Sequence, residues 1–316
     1  MTGVLPRRRL GSSQVCVTEL SFGGAAIGNL YTPVRDDDAR GAVEAAWDGG
    51  IRTFDTAPHY GLGLSERRLG AALAGKPRDE YVVSTKVGRL LEVADPPADH
   101  DIEGFAVPGD LVRRFDYSAD GVRRSLEASL ERLGLDHVDI ALLHDPDSHE
   151  EQAFREGYPA LEKWRAEGIV TAIGVGMNQA AMLTRFVRDT DIDVVLMAGR
   201  YTLLDKSAAS ELLPAAVERG VSVIAGGVFS SGLLAAPAPG AMYDYAPAPD
   251  SLISRALALE AACAQYGVPL RAAAARFPLG HRAVASVLIG ARDAAEVRDA
   301  ISMRSLDIPA ALWDAL

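Results

Sequence analysis

SADGVRRSLEASLERLGLDHVDIALLH, residues Ser118–His144, sets the reading of the whole chain. Its first half places Val122, Leu126, Leu130 and Leu133 at helical spacing, and Gly134 follows as a stop. Its second half, Val138–His144, is an apolar run broken only by Asp139, and it ends on the ionisable His144. A run that is apolar on both faces fits a parallel strand covered on both sides. Helix, glycine, strand and a polar residue at the strand end form one α/β unit.

The same unit recurs outward in both directions. Apolar runs at Leu20–Phe22, Arg52–Asp55, Tyr81–Lys86, Val170–Gly176, Val194–Met197, Val221–Ala225 and Ser286–Ile289 read as further strands. Amphipathic stretches at Asp37–Asp48, Tyr158–Glu167 and Ser210–Arg219 read as helices, each closed by a glycine. Eight such units predict an α/β fold, a single (β/α)8 TIM barrel spanning residues 1–316. Arg9–Val15, with Gly11-Ser12-Ser13 as its turn, predicts an N-terminal β-hairpin. Two long connections, Gly88–Tyr117 and Ser230–Pro249, follow strands and are expected as structureless loops at the C-terminal mouth of the barrel. Gly174-Val175-Gly176 lacks the third glycine of a Rossmann fingerprint.

Ionisable groups fall at the strand ends, where barrel enzymes work. Asp55 ends the run Ile51–Phe54, Lys86 ends Tyr81–Thr85, His144 ends Val138–Leu143, and Tyr60 lies just after Asp55. Buried charges need partners, so Asp55 and Lys86 are expected as an ion pair. A lysine cation beside a phenol favours the phenolate, so Lys86 is expected to lower the pKa of Tyr60. With His144 hydrogen-bonding the same substrate oxygen, the set suits proton transfer at a carbinol or carbonyl oxygen, a bound nicotinamide carrying the hydride. Taken singly, Lys86 could be a Schiff-base residue, Asp55 a helix cap and Tyr60 a packing aromatic.

Phe54-Asp55-Thr56-Ala57-Pro58-His59-Tyr60-Gly61 with Ser65-Glu66, Ser84-Thr85-Lys86, Leu142-Leu143-His144 and Lys163–Val170 resemble the signature segments of the aldo-keto reductase superfamily. That resemblance implies a barrel that binds NAD or NADP without a Rossmann domain, with Asp55, Tyr60, Lys86 and His144 as the catalytic set. Asp116–Val122, Leu133–Asp136, His144–Asp147 and Phe229–Leu234 are similar to the D-threo-aldose 1-dehydrogenase subfamily, a group with L-fucose and L-galactose dehydrogenases that pyridoxal 4-dehydrogenase resembles. The narrower resemblance implies oxidation of C1 of a cyclic sugar hemiacetal to a lactone, with Tyr60 as general base. Pyridoxal oxidation, general aldehyde or ketone reduction, and a non-catalytic nicotinamide sensor remain the alternatives. The family's nicotinamide-stacking aromatic is replaced by Gly226, its Ser-Asn pair reads Gly176-Met177 with Asn178 one place later, and its glutamine reads Ala198. Asp55, Asn178, Gly226, Phe229, Ser230, Gly232, Gly290, Arg292 and Glu296 are therefore the expected cofactor contacts. The helix after Gly290-Ala291-Arg292 is expected to offer its N-terminal amides to the adenine-side phosphate. Glu296 opposes a 2′-phosphate and favours NAD, whereas Arg292 favours NADP; both could equally begin a solvated helix.

The rest of the sequence narrows the partners. The formal net charge is −11 and no basic patch stands out, so a small sugar or aldehyde is expected rather than a nucleic acid. Cys16 and Cys263 are far apart, so neither a zinc site nor a redox dithiol is expected. No apolar run is long enough to span a bilayer, and Arg7-Arg8-Arg9 is not followed by the apolar stretch of a signal peptide. A cytoplasmic protein is the expectation; nothing in the chain points to an oligomeric state.

Overall fold

The computed structural model describes residues 5–244 and 246–316. In chain order its strands are β1 (Arg7–Arg9), β2 (Cys16–Thr18), β3 (Leu20–Gly23), β4 (Thr53–Asp55), β5 (Val82–Val87), β6 (Arg89–Ala98), β7 (Gly109–Phe115), β8 (Ile140–His144), β9 (Ala172–Met177), β10 (Val194–Ala198), β11 (Ser222–Gly226), β12 (Met242–Tyr243), β13 (Ala246–Pro247) and β14 (Val284–Gly290). The helices are α1 (Asp36–Asp48), α2 (Leu64–Leu73), α3 (Ala119–Leu133), α4 (Glu150–Gln152), α5 (Tyr158–Glu167), α6 (Ala180–Asp189), α7 (Leu212–Arg219), α8 (Asp250–Gln265), α9 (Leu270–Arg276), α10 (Ala294–Ser305) and α11 (Ala310–Ala315). Strands β3, β4, β5, β8, β9, β10, β11 and β14 close into a barrel, and every adjacent pair is parallel.

Strand parity explains which residues reach the site. Side chains alternate between faces of a strand. Ile140 and Leu142 of β8 lie in the cluster that fills the barrel interior, whereas Ala141 and Leu143 pack in the outer cluster beneath the helices. His144 continues the inward series at the strand's C-terminal end. On β5, Val83 and Val87 face outward, which leaves Ser84 and Lys86 inward. Phe54 of β4 is outward and Asp55 is inward. The interior cluster also takes Leu10, Val15 and Val17 from the β1–β2 hairpin, which plugs the opposite end.

Ser118 starts α3 as expected of an N-cap, accepting from Gly121 N at 3.0 Å, and left-handed Gly134 ends it. The connection Gly88–Tyr117 differs from the expected structureless loop. It is an antiparallel ribbon in which Arg89 pairs with Phe115 and Val93 with Leu111. Pro96 and Pro97 made this segment look unpaired; they fall in the register shift between Val93 and Ala98, where no ladder N–H is required. The connection after β11 is likewise not bare, because β12 pairs with β13 across it. No helix among the described residues is long and apolar enough to cross a membrane.

Candidate active site

At the C-terminal mouth, Asp55, Lys86 and Tyr60 form one chain of contacts. Lys86 Nζ donates to Asp55 Oδ2 at 2.7 Å, to the Thr56 carbonyl at 3.0 Å and to Tyr60 Oη at 3.0 Å. Ser84 Oγ, two residues before Lys86 on the same inward face, donates to Asp55 Oδ1 at 2.7 Å. All three donors of the ammonium are thereby used. The expected Asp55–Lys86 pair is present, with both side chains almost wholly buried.

The loop carrying Tyr60 is fixed by a close backbone approach. Gly61 is left-handed, φ +62°, and a Cβ there would sit 2.2 Å from the Gly28 carbonyl oxygen. Ser65 Oγ contacts Thr56 Oγ1 at 2.8 Å and donates to the Gly24 carbonyl at 2.8 Å, tying the start of α2 to the loops after β3 and β4. Buried Glu66 accepts from Thr85 Oγ1 at 2.8 Å and Arg132 Nε at 2.5 Å, bracing the outer side of β5.

Electrostatics alter the expectation for Tyr60. Burial pushes its pKa above the ordinary value of 10.0; Lys86 pulls against that, and Asp55 pushes with it. The lysine acts in the expected direction but is outweighed, because desolvation in the crowded mouth is the larger effect and Asp55 counters part of the lysine charge. Burial also works against the Lys86 cation, yet Asp55 and Tyr60 together hold the ammonium above its ordinary value. Burial drives the His144 pKa well below 6.5, with Arg89 and Lys86 adding to the shift. His144 is therefore a neutral hydrogen-bonding group at pH 7. Its Nδ1 is buried without a partner and its Nε2 is 3.5 Å from Asp145 Oδ2, so the ring keeps capacity for a substrate oxygen.

Tyr60, Lys86 and His144 line a cavity of about 290 Å³ together with His59, Arg89, Glu103, Phe105, Asp145 and Asn178. Sequence reasoning gave no role to His59, Arg89, Phe105 or Arg113. The available signal was a lone arginine between Gly88 and Leu90, directly after the Lys86 strand. Its meaning depends on the β6–β7 pairing, which the prolines concealed. Arg89 Nη2 donates to Asp145 Oδ2 at 2.5 Å, and Arg113 Nη1 to Asp101 Oδ1 at 2.5 Å. Asp145 has φ 43°, so the chain turns sharply after β8 and returns this carboxylate toward Arg89. Burial raises the pKa of Asp145, against the pull of Arg89. Tyr117 Oη donates to the carbonyls of His144 and Asp145, anchoring the same turn.

Apart from Asp55, which ends β4, the expected cofactor contacts lie along one arc of the mouth, at the ends of β11 and β14 and on the connections after β9, β11 and β14. Asn178 lines the cavity, and its carbonyl accepts from Arg200 Nε at 2.9 Å. Gly226 ends β11 opposite Ala198 of β10. Gly176, Ala198 and Gly226 give this side a floor without bulky side chains; a Cβ on Gly176 would already touch Lys86 Cε at 3.4 Å. A planar ring fits beside Tyr60 on such a floor, so the residues present suit a nicotinamide. The turn holding Phe229, Ser230 and Gly232 is left-handed at Ser230, Ser231 and Gly232, and buried Ser230 Oγ reaches Thr202 Oγ1 at 3.4 Å. Gly290 ends β14, with Arg292 and Glu296 beyond it. Asp293 caps α10, accepting from Ala295 N and Glu296 N at 2.8 and 2.9 Å, and Glu296 Oε2 takes Arg292 N at 2.8 Å. Arg292 Nε donates to Glu296 Oε1 at 2.9 Å, so the two residues form a surface ion pair at the start of the helix.

Comparison with known proteins agrees with this geometry. Residues 19–316 match the aldo/keto reductase family. A D-threo-aldose 1-dehydrogenase from a Pseudomonas species is 48% identical over 96% of this chain and 94% of its own length. A pyridoxal 4-dehydrogenase from Microbacterium luteolum is 41% identical, covering 98% of this chain and 96% of its own. The structure of an aldo-keto reductase from Bacillus halodurans in its holo form superposes with a TM-score of 0.74 at 26% identity, covering 97% of this chain and 93% of that one.

Proposed function

This chain belongs to the aldo/keto reductase family of oxidoreductases, and we propose that it oxidises C1 of an aldose hemiacetal, of the L-fucose, L-galactose or D-arabinose type, to the lactone. The observation that carries the proposal is the Tyr60–Lys86–Asp55 chain at 3.0 and 2.7 Å, set beside a neutral His144 in a cavity with a polar rim. The dehydrogenase name of the Pseudomonas relative supports the sugar and the direction.

Each side chain has a task in this reading. Tyr60 Oη takes the proton of the C1 hydroxyl. Lys86 stabilises the phenolate that can accept it, and Asp55 holds the ammonium toward Tyr60 while countering part of its charge. His144 hydrogen-bonds the same oxygen and fixes the C1–H bond in position. A nicotinamide dinucleotide, when bound, accepts the hydride. In this reading Asn178, Gly226, Phe229, Ser230, Gly232 and Gly290 would hold it, which the place of Asn178 in the cavity wall supports. Arg292 is already engaged by Glu296, which supports NAD over NADP.

The test is direct. Purified protein is mixed with NAD⁺ and L-fucose, L-galactose or D-arabinose, and reduced cofactor and lactone are both quantified. Equal amounts of the two products are expected; reduced cofactor without lactone, or neither, rejects the proposal. The Microbacterium relative and the Phe105 wall of the cavity favour a second reading, in which the same groups act on pyridoxal. Faster turnover of pyridoxal than of any aldose in the same assay would select it.

A further inference from the structure

We propose that Glu103 sets the charge selectivity of the pocket, admitting uncharged polyhydroxylated substrates and turning away counterparts that carry a carboxylate or phosphate. The inference rests on the reading of the site as an aldose dehydrogenase and adds to it the class of aldose. Three cations surround the cavity and each has its own carboxylate: Lys86 with Asp55 at 2.7 Å, Arg89 with Asp145 at 2.5 Å, and Arg113 with Asp101 at 2.5 Å. Glu103 is a fourth carboxylate: among the described residues it shares the guanidiniums of Arg89 and Arg113, each already held more closely by its own aspartate. It stands 3.8 Å from Arg89 Nη1, 3.6 Å from Arg113 Nη1 and 3.7 Å from His59 Nδ1, beyond good hydrogen-bond distance of all three. His59 does not answer it with a charge, because burial, reinforced by Arg89, Arg113 and Lys86, drives the imidazole pKa down to about 2.

The position of Glu103 follows from the ribbon. It lies between β6 and β7, where the chain folds back over the mouth. The backbone on either side is pinned: Tyr31 N donates to the Gly104 carbonyl at 2.8 Å, Ala106 N to the Asn29 carbonyl at 2.9 Å, and Asp101 is held by Arg113. The carboxylate itself is 39% exposed, unlike the nearly buried guanidiniums of Arg89 and Arg113 at 8% and 2%. It therefore forms the negative lip of a pocket whose inner field, felt at His59, is positive. A neutral diol can donate to Glu103, while its C–H face meets Leu30, Phe105 and Leu196. An anionic substituent meets like charge at the same lip.

The experiment compares a neutral aldose with its uronic acid, in wild type, Glu103→Gln and Glu103→Asp. The kcat/KM ratio of neutral to anionic sugar is expected to favour the neutral sugar in wild type and Glu103→Asp. In Glu103→Gln it should fall by about tenfold or more, chiefly through a lower KM for the uronate. Raising the salt concentration should narrow the wild-type ratio and leave that of Glu103→Gln nearly unmoved. A ratio unchanged in Glu103→Gln, or shifted equally in Glu103→Asp, overturns the proposal. The same two sugars are also used as competitive inhibitors of the turnover of a small uncharged aldehyde. If wild type oxidises neither sugar, the dehydrogenase reading falls, and the inhibition constants still decide whether Glu103 discriminates by charge.

Discussion

Replacing Lys86 by methionine separates what the buried pair does for stability from what it does for catalysis. The side chains of Lys86 and Asp55 are 1% and 2% exposed. Without the ammonium, the Asp55 carboxylate keeps the 2.7 Å bond from Ser84 and has no charge partner. Removing one member of such a pair costs about 3–5 kcal/mol, because the other is left charged and desolvated. Adding Asp55→Asn removes the stranded charge, and the double variant should return to within about 1–2 kcal/mol of wild type. Activity should not return with it. Burial already holds the Tyr60 proton too firmly, and loss of Lys86 removes what opposes it. Turnover in both variants is expected to fall by about 10²–10⁴-fold. Urea unfolding of the cofactor-free protein at pH 7, beside initial rates of cofactor reduction, reads both effects. A single variant as stable as wild type at pH 7, or a double variant that recovers turnover, refutes the reasoning.

Tyr60→Phe removes one hydroxyl and should lower turnover by about 10²–10⁴-fold while nicotinamide affinity, read by fluorescence titration, stays close to wild type; retained activity removes Tyr60 as proton carrier. Since burial raises the Tyr60 pKa, wild-type oxidation should quicken as the pH rises above neutral, and a rate profile with a histidine-like limb near 6.5 would contradict the neutral His144. Glu296→Arg abolishes the pair with Arg292 and should move the kcat/KM ratio of NADP⁺ to NAD⁺ upward; an unmoved ratio takes Glu296 out of cofactor choice. His59 stays neutral in the folded protein but protonates when unfolded, so its contribution favours folding above pH 6.5 and is lost as the pH drops. Between pH 7 and pH 5 it should weaken folding by about 2 kcal/mol, and His59→Gln should lessen the pH dependence of the unfolding free energy, read by urea titration, by that amount.

The elements read best from sequence are those whose signals are local. The ionisable residues that end the apolar runs, Asp55, Lys86 and His144, marked the C-terminal mouth, and the glycine after each helix marked where the next strand begins. Those regularities survive in any barrel, so the positions of the proposed catalytic groups were legible before the fold was known. The ribbon was not. Arg89, Glu103 and Arg113 are separated along the chain and converge only through the pairing of β6 with β7, which Pro96 and Pro97 disguised. The net balance at Tyr60 was not legible for a related reason. A sequence displays the neighbouring lysine, whose pull is as expected, but the desolvation of the phenol and the countercharge of Asp55 are properties of the assembled barrel. Arg292 and Glu296, four residues apart at a helix start, could have been read as partners from spacing alone.

This division has a consequence for how the site works. The groups proposed to move the proton stand on barrel strands or the loop locked against Gly28, so their geometry is set by the ladder hydrogen bonds of β4, β5 and β8. The groups proposed to choose the substrate stand on a ribbon that also braces the Tyr60 loop, through Phe105 against His59 and Tyr60 and through Arg113 Nη2 donating to the His59 carbonyl at 2.9 Å. Changes at half-exposed Glu103, which carries none of those contacts, can therefore alter which molecule is admitted while leaving the Lys86 bonds to Asp55 and Tyr60 in place. Changes at Asp55 or Ser84 cannot be confined in that way, because both belong to the same buried chain as the proton carrier. Substrate preference in this chain should thus respond to Glu103 and Arg89 mainly through KM, whereas substitutions along the Asp55–Lys86–Tyr60 chain act on kcat.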